Sequence, residues 1–155
     1  MTIQKKWIIR NAAKRDAILS LVKTYAQYGK YKKPSWAPPA SWFGPVWTVL
    51  YILIAISFGY VLYLYSQQQI PGLVALPFAL NLVFNLAFTP IQFRLRSFKL
   101  AALDVLLVLV TLEWAMCMIS PYVMWVVYMD LPYLAWVFFA TVLQLTITRL
   151  NWKKK

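Results

Sequence analysis

Histidine is absent from this 155-residue sequence, and cysteine occurs once, at Cys117. Without histidine the chain lacks the commonest metal ligand and the usual general base, which argues against a metalloenzyme and against a Ser-His-Asp triad. A lone cysteine excludes a disulfide within the chain and a cluster of thiolates. We therefore expect no metal site and no acid–base catalytic apparatus of the common kinds.

Charge is also scarce, because only 13% of the residues are charged and 62% are hydrophobic. A soluble domain averages about a quarter charged and about half apolar, so this composition indicates a membrane protein. Four apolar stretches approach the length of about 20 residues that a helix needs to cross a bilayer. They are 42–65, 70–93, 100–119 and 131–148. The last reaches that length when it begins at Pro121, and the third carries Asp104 and Glu113. We predict an all-α fold, a bundle of four transmembrane helices.

The net charge of +12 is distributed in a way that favours a membrane over nucleic acid as the partner. Nine of the 16 Lys and Arg residues precede Pro34, three lie at positions 94–99, and four at positions 149–155. The connections 66–69 and 120–122 contain none. By the positive-inside rule, both termini then face the cytoplasm. We expect an integral protein of a prokaryotic cytoplasmic membrane, with the lipid bilayer as its partner and no nucleic acid.

The N-terminal segment 1–31 is too polar to span, since a crossing there would bury at least five charged side chains. From Asp16 to Tyr28, apolar residues recur at helical spacing opposite a polar face, which predicts a basic amphipathic helix on an anionic leaflet. A solvated basic tail is the alternative. We divide the chain into this segment, a membrane bundle at 32–152, and a basic tail at 153–155.

Tryptophan and proline crowd the start of the first apolar stretch, in "KPSWAPPASWFGPVWTVLY". Proline lacks an N–H donor and restricts the residue before it, so we predict an extended loop at 34–43 and a helix from Pro45 onward. The tryptophans could form an interfacial aromatic belt. A belt explains three tryptophans within twelve residues of a stiff loop less well than the lip of a pocket for a flat aromatic ligand does, so we favour such a lip, with Trp36 in it.

Polar residues inside the spans are the other candidates for a site. Asn81, Asn85 and Gln92 share one helical stripe, so they face the bundle interior, either for hydrogen bonds between helices or for ligand contact. Trp47, Asn85 and Trp136 lie about 8, 12 and 18 Å from the cytoplasmic edge and could line one cavity. Glu113 and Asp130 are either proton-coupled groups or structural ones.

Four segments resemble successive parts of the translocator protein family, also called tryptophan-rich sensory proteins. They are "KPSWAPPASWFGPVWTVLY", "ALNLVFNLAFTPIQF", "AALDVLLVLVT" and "LPYLAWVFFATVLQ", within about 33–151. The resemblance implies a five-helix membrane bundle, often a homodimer, that binds porphyrins and, in some members, sterols and synthetic benzodiazepine-type ligands. It implies a pocket between the helices, closed by a loop.

The resemblance also implies which residues bind the ligand. The family's pocket tryptophans match Trp47 and Trp136, and its pocket asparagines match Asn81 and Asn85. Nearby aromatic, small and loop positions match Phe88, Ala140 and Tyr28. Two features depart from the family: its first helix is apolar where segment 1–31 is charged, and the sterol-recognition pattern on the last helix lacks its tyrosine, which makes a sterol doubtful.

We therefore expect a membrane-embedded binding protein for protoporphyrin-type tetrapyrroles, a sensor, carrier or regulator that requires no cofactor. Lys30, Lys32 and Lys33 would reach the carboxylates of the ligand, and without histidine we favour a metal-free porphyrin over ligated haem. Two alternatives stay open. One is an enzyme that degrades protoporphyrin in light, with Trp47 and Trp136 as the catalytic residues. The other is a small-molecule transporter that uses Glu113 and Asp130.

Overall fold

The computed structural model describes residues 28–152, which are helices joined by short connections. The chain divides after Tyr31 into two compact units, and the long helices belong to the second. Residues 16–27 of the predicted amphipathic helix, and the basic tail 153–155, lie outside the described residues.

Four long helices make up the second unit. They are α1 (Ala40–Ser66), α2 (Gly72–Thr89), α3 (Phe98–Ile119) and α4 (Met124–Asn151). One turn of π-helix, Pro90–Arg94, extends α2. All four helices, α2 together with its π-helical turn, are long and apolar enough to cross a membrane. The prediction of an all-α bundle with four spans is thereby confirmed for the part of the chain that the structure describes.

The connections are set by local backbone chemistry. The left-handed Gln68 (φ 57°) ends the turn after α1, where the Gln69 N–H donates to the Leu64 carbonyl at 2.9 Å. Before α3, the Ser97 side chain accepts a hydrogen bond of 3.3 Å from the Leu100 N–H. A serine in this position pairs one of the N–H groups that the first turn of a helix leaves without a partner.

The start of α1 differs from the prediction. The helix begins at Ala40 with Pro39 as its N-cap, so the extended segment is shorter than 34–43, and Pro45 lies inside the helix. Because proline has no N–H, Pro45 removes one backbone hydrogen bond of the helix. The loss falls close to the first turn, where several N–H groups have no intrahelical partner in any helix. The helical conformation of 40–44 places the Phe43 ring edge-on to the Trp136 ring of α4, with centroids 5.8 Å apart. An aromatic pair of this kind contributes about 0.5–1.5 kcal/mol, which is comparable to the net contribution of the one hydrogen bond that is lost.

The helices pack with α3 between α2 and α4, while α1 packs mainly on α4 and less on α2. Small residues let α3 approach its neighbours closely, since Ala101 and Ala115 are fully buried. In the interior, Phe58 of α1 meets Phe78 of α2 edge to face, with centroids 4.9 Å apart. Each helix turns Leu, Ile, Val or aromatic side chains outward, as the surface of a protein in contact with lipid requires.

Candidate functional site

An open cleft of about 460 Å³ lies where the loop before α1 meets α4. Its walls come from the loop, the first turn of α1 and one face of α4. The lining residues are Ser35, Trp36, Ala37, Pro38, Pro39, Trp42, Trp136 and Phe139. The volume lies within the range of about 300–1,000 Å³ that is common for small-molecule sites, and the lining is mostly aromatic and apolar.

The loop holds its shape through prolines and a tight turn. The Ala37 N–H donates to the Pro34 carbonyl at 3.1 Å, and Pro38 and Pro39 fix the backbone that follows. The Trp36 ring then packs edge-on against Phe139, with centroids 5.9 Å apart. The loop therefore forms one stiff wall of the cleft and α4 forms the opposite wall.

Two side chains, Trp136 and Phe139, form the α4 wall. The indole N–H of Trp136 is the polar group that they bring to it. The Trp136 ring lies between Phe43, 5.8 Å away, and Phe139, 5.5 Å away. The indole Nε1 is buried and has no hydrogen-bond partner among the described residues. An indole N–H is a donor only, and a buried donor without an acceptor is costly. A ligand that displaces the covering side chains could provide that acceptor.

A hydrogen-bond network joins the helices beside Trp47. The Asn85 amide donates to the Tyr133 hydroxyl at 2.7 Å, and that hydroxyl donates to Asn81 Oδ1 at 2.9 Å. Asn85 Oδ1 accepts from the Tyr51 hydroxyl at 3.0 Å. Trp47 packs on this network, with its ring centroid 5.3 Å from that of Tyr51 and 6.4 Å from that of Tyr133.

Asn81 extends the network to α3, because its amide donates to the Val108 carbonyl at 2.8 Å and to Thr111 Oγ1 at 3.1 Å. Of the two alternatives for the asparagine stripe, the structure therefore shows hydrogen bonds between helices. A ligand would have to exchange one of these bonds to reach either amide. Binding of a ligand by Asn81 and Asn85 remains a prediction.

The predicted site residues thus fall into groups. Trp36 and Trp136 line the cleft, whereas Trp47, Asn81 and Asn85 belong to the network and are not part of the lining. Phe88 on α2 and Ala140 on α4 are half-buried and outside the lining. Tyr28 belongs to the N-terminal unit, and its contact with a ligand stays a prediction.

Sequence reasoning missed Tyr133, which links both asparagines. It is fully buried and lies three residues before Trp136, so it lies on the same side of α4. A tyrosine at that spacing from a pocket tryptophan was the available signal. Six residues that line the cleft were also not predicted to bind ligand, namely Ser35, Ala37, Pro38, Pro39, Trp42 and Phe139.

The two carboxylates considered for transport lie in different environments. Asp130 is fully buried, and its Oδ1 lies 2.7 Å from Ser57 Oγ of α1. Glu113 is exposed on the outside of α3. Across residues 28–152, no group of three or more His, Cys, Asp or Glu side chains comes together in a way that could hold a metal ion.

Comparison with known proteins decides the family. The sequence profile of the TspO/MBR family matches residues 12–150. The chain belongs to the TspO/MBR family. The resemblance drawn from its motifs is confirmed, and the chain is an integral membrane protein with lipid around its spans.

The chain is also similar to individual bacterial proteins. The chain is 39% identical over 84 residues to the tryptophan-rich protein TspO of Bacillus cereus, which covers 54% of each chain. It is 35% identical over 126 residues to the uncharacterized membrane protein YtaB of Bacillus subtilis, covering 80% of this chain and 79% of that one. It is 38% identical over 96 residues to protein CrtK of Rhodobacter capsulatus, covering 61% and 58%. The chain thus matches about half the length of the Bacillus cereus and Rhodobacter proteins.

Proposed function

We propose that this TspO/MBR protein binds a planar tetrapyrrole of the protoporphyrin type in the aromatic cleft, and acts as a sensor, carrier or regulator. The observation that carries the proposal is the buried indole N–H of Trp136, a residue of the aromatic cleft lining, which has no hydrogen-bond partner within residues 28–152. A flat macrocycle offers a face for stacking and polar groups that can accept a hydrogen bond.

Two exposed lysines that directly precede the cleft-forming loop in the chain support the same ligand. Lys32 and Lys33 are exposed at the base of the loop that forms one wall. The carboxylate side arms of a porphyrin would meet these ammonium groups while the ring enters the apolar cleft. Such pairs at an exposed rim add orientation more than affinity, because solvent screens them.

The test is a titration of the purified protein with protoporphyrin, followed by quenching of tryptophan fluorescence. Trp136→Phe keeps a ring in the wall and removes the N–H, so we expect an affinity about fivefold to tenfold weaker, as the loss of one hydrogen bond predicts. Trp152→Phe is the matched control, because Trp152 is exposed and outside the lining. Equal affinities for all three proteins would contradict the proposal.

The same complex separates binding from photochemistry. A protein that only binds leaves the Soret band of the porphyrin unchanged under light, apart from the bleaching seen with free porphyrin. Light-dependent degradation, the alternative expected from the sequence, would bleach the band faster. In that event Trp136, which lines the cleft, would matter more than Trp47, which does not.

A further inference from the structure

Asn151, at the end of α4, is bound to the loop that forms the cleft wall. Its Oδ1 accepts a hydrogen bond of 3.2 Å from the Lys32 N–H, and its Nδ2 donates to the Lys32 carbonyl at 2.9 Å. The second Nδ2 hydrogen is directed to the Ile147 carbonyl of α4 itself, at 2.8 Å. The buried amide is therefore fully engaged, and two of its bonds hold one loop residue.

We call residues 32–39 the strap. It is attached to α4 at two places: by the Asn151 amide at Lys32, and by the Trp36 ring packed on Phe139. The turn that the Ala37 N–H closes on Pro34 lies between the first attachment and the helix α1. Because Pro34 and the turn that it forms with Ala37 restrain the backbone between Lys32 and Trp36, a movement at Lys32 is passed to Trp36 rather than absorbed between them.

The two attachments differ in kind. Trp36 is about half exposed (48%), and its edge-on ring contact is one that a ligand entering the cleft could disturb. The Asn151 amide lies outside the lining, is only 4% exposed, and fixes both the N–H and the carbonyl of the same residue. These two bonds engage the peptide groups on both sides of the Lys32 Cα, so they restrain the orientation of the backbone at Lys32 as well as its position.

We propose that Asn151 is a positioning residue, which holds the strap over the cleft and so sets how fast a bound ligand leaves. The strap would pivot at Lys32, and the contact between Trp36 and Phe139 would open and close as the strap moves. The part of this inference that concerns ligand release depends on the proposed function. The part that concerns the strap does not.

The experiment measures the strap and the ligand separately. A spin label on Ser35→Cys, in a Cys117→Ser background, reports strap mobility by electron paramagnetic resonance, and Ser35 is exposed. A label on the native Cys117, which is exposed on α3, reports the mobility of a bundle helix that is distant from the strap in the sequence. The rate of protoporphyrin dissociation is measured on the unlabelled proteins.

Asn151→Ala is compared with Thr148→Val, one turn earlier on α4. Thr148 also makes buried bonds at this end of the bundle, to the Phe98 carbonyl at 3.1 Å and to Gln144 at 3.3 Å, but neither partner is in the strap. We expect Asn151→Ala to mobilise the Ser35 label and to speed dissociation about tenfold, as the loss of two hydrogen bonds predicts. Thr148→Val should do neither, and the Cys117 label should be unchanged in both.

Three results would overturn the inference: an unchanged Ser35 label in Asn151→Ala, an equal effect of Thr148→Val, or loosening of the Cys117 label together with the strap, which would mean general destabilisation. If the unsubstituted protein binds no protoporphyrin, the proposed function fails. The Ser35 label then decides on the strap alone.

Discussion

The Asn85 side chain donates a 2.7 Å hydrogen bond to the Tyr133 hydroxyl, which in turn donates to Asn81 at 2.9 Å. One hydroxyl therefore links two amides of α2 to α4 in the interior of the bundle. Because nothing in the surrounding lipid can replace these partners, each lost bond leaves a buried polar group unpaired.

Tyr133→Phe should destabilise the bundle. It keeps the ring and removes both bonds of the hydroxyl, and we expect a loss of about 1–2 kcal/mol in the free energy of unfolding, since bonds of this kind in membrane bundles average about 0.6 kcal/mol. Thermal or denaturant unfolding in detergent measures the loss. Tyr128→Phe is the control, because Tyr128 is 65% exposed. Equal stability of the two variants would show that the network contributes little.

The Ser57–Asp130 pair predicts a double-mutant result. Ser57→Ala leaves the fully buried Asp130 without the hydroxyl that lies 2.7 Å from its Oδ1, and should cost about 1–3 kcal/mol of unfolding free energy. Asp130→Asn retains an oxygen that can accept from Ser57 and should cost less. Ser57→Ala combined with Asp130→Leu removes both polar partners and should be more stable than Ser57→Ala alone. A double variant less stable than that single one would show that the carboxyl is needed for another reason.

Trp36 should contribute to ligand affinity through its ring. Trp36→Leu removes the contact with Phe139 and one aromatic face of the cleft. We expect protoporphyrin to bind about threefold to tenfold more weakly, which corresponds to about 0.5–1.5 kcal/mol for one aromatic pair. The fluorescence titration measures this effect, with Trp125→Leu as a control outside the lining. An unchanged affinity would exclude the strap from the binding site.

The charge distribution predicts the orientation in the membrane. Within the described chain, Arg94, Arg96 and Lys99 lie around the α2–α3 connection, whereas the α1–α2 connection at 67–71 has no Lys or Arg. We expect a membrane-impermeant maleimide to label Gln68→Cys in intact cells, and Arg96→Cys only after lysis, both in a Cys117→Ser background. The reverse pattern would place the strap and the cleft on the outer side of the membrane.

The spans were predictable from the sequence, and most of the site was not. A run of about 20 apolar residues specifies a membrane helix by itself. The start of α1 was predicted too late because proline rules describe local backbone cost, and they omit the packing of Phe43 on Trp136 that offsets it. Proline and tryptophan density at the first span predicted a pocket lip, and Trp36 does line the cleft, while its contact with a ligand stays a prediction.

The hydrogen bonds that organise the interior join residues far apart in the chain. Asn85 and Tyr133 are 48 residues apart, Ser57 and Asp130 are 73 apart, and Lys32 and Asn151 are 119 apart. A helical stripe shows that a polar residue faces the interior, but it does not show which residue of another helix it meets. Helix packing decides these pairs, and a single sequence does not reveal them.

The most direct test of the account is a ¹H–¹⁵N NMR spectrum of the tryptophan indole groups, titrated with protoporphyrin. The chain has eight tryptophans, so eight indole signals are expected, and Trp136→Phe assigns the decisive one. We expect the Trp136 signal to shift on binding as its buried N–H gains an acceptor, with Trp36 and Trp42 shifting as the ring stacks beside them, and with Trp152 unchanged. A Trp136 signal that stays in place while protoporphyrin binds would contradict the claim that the cleft is the site.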